Sequence, residues 1–117
     1  SGKYHQHEAP PAGARLDKMQ SRWATFDKER NWKILDAVRA VAAEANTTPA
    51  AVSLAWLLQQ PQVTSTIFGA RSIAQLEDNV KAAEIALTEA QMKTLTEASD
   101  FELGYPYAFM KGLQGAW

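Results

Sequence analysis

The chain has 117 residues, 46% of them apolar, which allows one modest hydrophobic core and excludes most multi-domain enzymes. Its 12 basic and 13 acidic residues are interspersed for a net charge of −1, so neither nucleic acid nor a membrane surface is an expected partner. The absence of cysteine removes disulfides, thiolate nucleophiles and cysteine-type zinc sites. No run approaches the ~20 apolar residues that span a bilayer and no signal sequence opens the chain, so a soluble, cytoplasmic protein is expected.

Residues 1 to about 28 contain Gly2, Pro10, Pro11 and Gly13 with few periodic apolar positions, and read as a long loop with a short helix near Trp23. From about Asn31 the period becomes helical. Ile34, Leu35, Val38, Val41 and Ala42 share one stripe opposite Lys33, Asp36, Arg39 and Glu44, and the pattern ends near Ala45-Asn46. Thr47-Thr48-Pro49 supplies a cap and a first-turn proline for a second helix, about Pro49 to Gln60. This helix is apolar around most of its circumference, which predicts burial against more than one neighbour.

Pro61 stops that helix, and the β-branched run Val63 to Phe68 reads as the one convincing strand. A lone strand must pair with others, so the sequence implies strands that it does not contain. After the turn at Gly69, Ser72 and Gln75 have the spacing of a capping box for a helix to about Glu84, with Ile73, Leu76, Val80 and Ala83 as its buried stripe. Thr88 and Gln91 form a second such box, opening a helix to about Ser99. The tail from Asp100 is aromatic, with Phe101, Tyr105, Tyr107, Phe109 and Trp117, and is expected to dock onto the body or to contact a substrate.

The stretch Ile67 to Asn79 carries the candidate chemistry. A glycine turn entering a capped helix leaves backbone N–H groups and the positive end of the helix dipole unpartnered, an arrangement that holds phosphate. Arg71 sits in the turn, and Gln75 and Asn79 follow at one and two helical turns. Spacing alone leaves two readings open, an ordinary strand-to-helix turn and an anion site, and Gln75 cannot fully serve both the cap and a ligand. His5 and His7 lack the third ligand that a metal site requires, so no metal is expected. The carboxylates Asp27, Glu29, Glu77 and Asp78 stand beside basic residues on exposed faces, and no catalytic residue is assigned within the chain.

Several segments in order resemble the C-terminal third of an aldo-keto reductase. The branch is that of the bacterial long-loop reductases and the β-subunits of voltage-gated potassium channels. The resemblance is carried by Ser1-Gly2-Lys3-Tyr4, by Pro10-Pro11 with Gly13-Ala14-Arg15, and by Thr48-Pro49 leading to Leu54-Ala55-Trp56-Leu57. It continues through Gly69-Ala70-Arg71-Ser72, Gln75-Leu76, Asp78-Asn79 and Leu87-Thr88. It implies an α/β fold, the C-terminal segment of a (β/α)8 TIM barrel, with NADP bound at the mouth made by the last strands. By this resemblance Gly69, Arg71 and Gln75 hold the adenosine 2′-phosphate, and Asp78 and Asn79 bond the adenine edge. Lys3 lies by the pyrophosphate, in the loop after the seventh strand, and Arg15 stacks on the adenine. The family's commoner lysine in the final turn is replaced by Gly69, which shifts the phosphate load onto Arg71 and backbone N–H groups.

The tyrosine, lysine, aspartate and histidine of the family's hydride-transfer chemistry come from the first half of the barrel, and nothing here replaces them. A barrel takes ~250 residues, so the chain is expected to be a fragment whose partner is the missing N-terminal part. The expected function is reduction of small aldehydes or ketones with NADPH in the parent protein, with oligomerisation open. A non-catalytic NADP-binding regulatory subunit and a free-standing helical interaction module are the alternatives.

Overall fold

The computed structural model describes residues 2–101 and 104–113; Ser1 and Trp117, invoked above, lie outside them. Six α-helices follow one another among the described residues: α1 (Gln20–Phe26), α2 (Glu29–Glu44), α3 (Pro49–Leu58), α4 (Ile73–Val80), α5 (Glu89–Ser99) and α6 (Tyr107–Leu113). A 3-10 turn, Lys81–Glu84, continues α4. No helix among the described residues is long and apolar enough to cross a membrane.

The core sits where α2 packs against α3 and α5, and α3 against α4 and the 3-10 turn. Val41, Ala42, Val52, Ala55, Ala82, Leu87 and Leu95 form its buried centre. Small residues set the spacing: Ala51 and Ala55 on α3 are fully buried, so the helix backbone comes close to its neighbours. The other side of α3 is only partly covered, with Leu57 and Leu58 exposed, so the all-round burial expected for this helix is realised on one face.

Helix ends follow the local chemistry. α2 stops in a Schellman motif: Asn46 takes the left-handed conformation (φ 49°), and the Thr47 N–H donates to the Ala42 carbonyl at 2.9 Å. Thr48 caps α3, its hydroxyl accepting from the Ala51 N–H at 3.1 Å, and Pro49 fills the first position. The Thr88/Gln91 capping box closes in both directions, at 3.3 and 3.1 Å. Arg30 on α2 donates to the Ser99 and Asp100 carbonyls at the end of α5, tying the two helices. The short helix near Trp23 is α1, held to α2 through Trp32, whose ring centroid is 6.0 Å from that of Trp23 and whose Nε1 donates to Asp27 at 2.7 Å.

Three expectations are corrected. Val63–Phe68 is not a strand: it has no regular secondary structure, the described residues contain no second segment to complete a hydrogen-bond ladder, and Ile67 is wholly exposed. The apolar stripe of α4 is present but not buried, because nothing covers it; Ile73, Leu76 and Val80 are all exposed. Among the described residues of the aromatic tail, Phe101, Tyr105, Tyr107 and Phe109 are largely solvent-facing and not docked, and part of the tail forms α6.

Candidate functional site

An open cleft of about 960 Å³ lies between the loop preceding α1 and the N-terminal end of α4. All seven residues singled out for a cofactor line it: Lys3, Arg15, Gly69, Arg71, Gln75, Asp78 and Asn79. Five of them belong to the single stretch 69–79, and the fold brings Lys3 and Arg15 from the N-terminal loop to face it.

One wall is a tightly tied turn. Gly13 adopts a left-handed φ of 74°, its N–H donates to Asp17 Oδ2 at 2.8 Å, and the Ala14 N–H donates to the Pro11 carbonyl at 2.9 Å. Ala14 is buried beneath, which leaves Arg15 and Lys18 to project from the exposed side. The facing wall is the turn into α4. A Cβ added at Gly69 would meet nothing within 4 Å, so the backbone there is open to close approach by a ligand.

The start of α4 differs from the expected capping box. Ser72 Oγ accepts from the Gln75 N–H at 3.2 Å, but Gln75 Oε1 accepts from the Arg71 N–H at 2.9 Å, upstream of the cap residue. The Gln75 side chain reaches back past the cap and braces the turn that carries Arg71. The N–H groups of Ile73 and Ala74, at the first two positions of the helix, have no acceptor among the described residues, as a helix N-terminus dictates. Asp78 has a protein partner of its own: both carboxylate oxygens lie within 3.0 Å of the Thr48 hydroxyl, which donates to them. A carboxylate has about four lone-pair sites, so acceptor capacity remains on Asp78 for a second donor.

The donor set fits a polyanion. Lys3, Arg15, Lys18 and Arg71 face the cleft against one carboxylate, Asp78, although the chain as a whole is slightly acidic. The ion pairs among the described residues, Lys33–Glu29, Arg39–Asp36 and Lys93–Glu97, involve none of these four cations. Unneutralised cations gathered beside a helix N-terminus favour phosphate. Sequence reasoning missed Lys18 and Phe68 as lining residues. Lys18 follows Arg15 by three positions on the same tied turn, a usable signal, whereas Phe68 falls in the run whose composition predicts a strand. His5 and His7 are exposed, and the described residues contain no group of three metal-ligating side chains.

Residues 1–100 match the aldo/keto reductase family. An uncharacterised oxidoreductase of Mycobacterium tuberculosis is 39% identical over 98 residues, covering 84% of this chain and 29% of that protein. The aldo-keto reductase AusK of Aspergillus calidoustus is 35% identical over 95 residues (81% of this chain, 24% of the relative). Protein Tas of Escherichia coli is 35% identical over 89 residues (76% and 25%). The chain thus spans between 24% and 29% of the length of these relatives. The family match takes in both walls of the cleft, and the chain belongs to the aldo/keto reductase family.

Proposed function

We propose that this chain is the C-terminal part of an NADPH-dependent aldo-keto reductase and holds the adenosine end of its cofactor. The observation that supports this most strongly is the gathering of Lys3, Arg15, Lys18 and Arg71 around the open backbone at Gly69 and the free N–H groups of α4. Arg71 and those N–H groups take the 2′-phosphate, with the Gln75 amide nitrogen beside them. Asp78 and Asn79 accept from and donate to the adenine edge, Arg15 lies on the adenine face, and Lys3 neutralises the pyrophosphate. When bound, the cofactor supplies a hydride to the carbonyl of a small aldehyde or ketone. The chain's own contribution is binding, orientation and selection between NADPH and NADH, and the proton-donating residues belong to the rest of the barrel.

The exposed apolar residues Leu57, Leu58, Ile67, Ile73, Leu76 and Val80 support the second half of this proposal. The family implies a (β/α)8 barrel, in which Val63–Phe68 takes its place as a strand and α4 packs over the sheet. The N-terminal part of that barrel is the partner that covers these residues.

Replacing Arg71 by alanine in the intact reductase tests the assignment. A charge-assisted contact to the 2′-phosphate predicts about 10- to 100-fold weaker NADPH binding with NADH almost unaffected, read by equilibrium fluorescence titration. Equal weakening of both cofactors would remove Arg71 from the phosphate.

A further inference from the structure

Lys3 leaves the backbone between two carbonyls that one side chain holds. The Arg39 guanidinium, on α2, donates from a single Nη to the Gly2 carbonyl at 3.1 Å and to the Tyr4 carbonyl at 3.2 Å. Its other Nη donates to Asp36 at 3.3 Å, one helical turn back, which fixes the orientation of the guanidinium plane. The same short segment is packed on both sides. A Cβ at Gly2 would lie 3.5 Å from the Pro49 ring, and Gly2 has a left-handed φ of 65°. The Tyr4 ring centroid lies 5.6 Å from that of Trp23, and the Tyr4 hydroxyl accepts from the Leu16 N–H at 3.4 Å. Tyr4 lines a separate apolar groove, whereas Lys3 lines the cationic cleft, its ammonium 5.3 Å from the Tyr4 ring centroid.

We propose that Arg39 is a positioning residue for Lys3: by holding the carbonyls on either side, it fixes the backbone from which the Lys3 ammonium reaches the cofactor pyrophosphate. The inference rests on the cofactor reading of the cleft. Arg39 carries out this task without touching the cofactor, because both of its Nη atoms are turned to Asp36 and the two carbonyls and it does not line the cleft. Without it, the Lys3 backbone between those packed flanks loses its carbonyl anchor, more of its ordering falls to the ligand, and that entropy is subtracted from the binding free energy. The effect is therefore confined to ligands that engage Lys3.

The test uses the intact reductase and two probes, NADPH and adenosine 2′-monophosphate, which lacks the pyrophosphate. Arg39→Ala is expected to raise the Kd for NADPH by about tenfold, while adenosine 2′-monophosphate binds unchanged. In a Lys3→Ala background the same substitution is expected to add nothing, since its action passes through Lys3. Arg39→Lys, which keeps the charge but loses the planar fork, gives an intermediate Kd and carries the test if the alanine variant is poorly folded. Equal weakening of both probes, or additivity with Lys3→Ala, would overturn the positioning role. If Lys3→Ala weakens NADPH and Arg39→Ala does not, the positioning role alone falls. If Lys3→Ala itself leaves NADPH binding unchanged, the placement of Lys3 at the pyrophosphate falls with it.

Discussion

Thr48 shows how much one residue can join. Its hydroxyl oxygen accepts from the Ala51 N–H as the cap of α3, while its proton goes to Asp78 on α4. Loss of a cap costs about 1–2 kcal/mol, and here the loss also removes the donor of a half-buried carboxylate. Thr48→Val is therefore expected to lower stability by about 1–2 kcal/mol in urea unfolding, with Thr48→Ser restoring most of it; equal stability of the valine variant would contradict this role. The cap was legible, because Thr-Pro at a helix start is a local signal. The bond to Asp78 was not, since its partner lies 30 residues away and only the fold brings it near. Arg39 hid in the same way among the polar residues of an amphipathic helix. By contrast, Arg71, Gln75 and Asn79 share one turn and one helix, so spacing alone brings them together, whereas Asp78 enters through the family resemblance. Lys3 and Arg15 were reached through the family resemblance and not through spacing.

Among the elements, the helices were the readable part, because their apolar stripes and caps are properties of a single segment. α2 and α5 run close to the ranges that period and capping predict. α3 meets its neighbours through Ala51, Val52 and Ala55, all fully buried. Enlarging such a contact forces the helices apart, so Ala55→Leu is expected to cost about 1–3 kcal/mol in chemical denaturation. A neutral result would mean that the α3 contacts are loosely packed. The strand was misread for a physical reason: β-branched composition at Val63–Phe68 describes a disposition, whereas a strand is a relation between two segments. The α4 stripe was read correctly as a pattern, but burial requires something to cover it. α6 gave no signal, since Tyr107–Leu113 is one short stretch after Pro106 that contains Gly112, with no capping Ser, Thr, Asp or Asn just ahead of it and too few residues for an apolar period to mark it.

At the scale of the molecule, the helical core is real but one-sided. The radius of gyration is 16.5 Å, against about 13 Å for a compact domain of this length, and large apolar side chains from Leu57 to Val80 face outward. A free-standing helical module would bury those side chains within itself. The rest of a barrel, which we propose as their cover, would also give Val63–Phe68 its missing ladder and turn the open cleft into the rim of a cofactor site. One measurement tests both halves of this account, a crystal structure of the proposed intact reductase with NADP bound. The account predicts the 2′-phosphate within hydrogen-bonding distance of Arg71 and the first N–H groups of α4, the adenine between Arg15 and Asn79, and Val63–Phe68 paired on both edges. A cofactor bound elsewhere, with the Gly69 turn facing solvent, would contradict it.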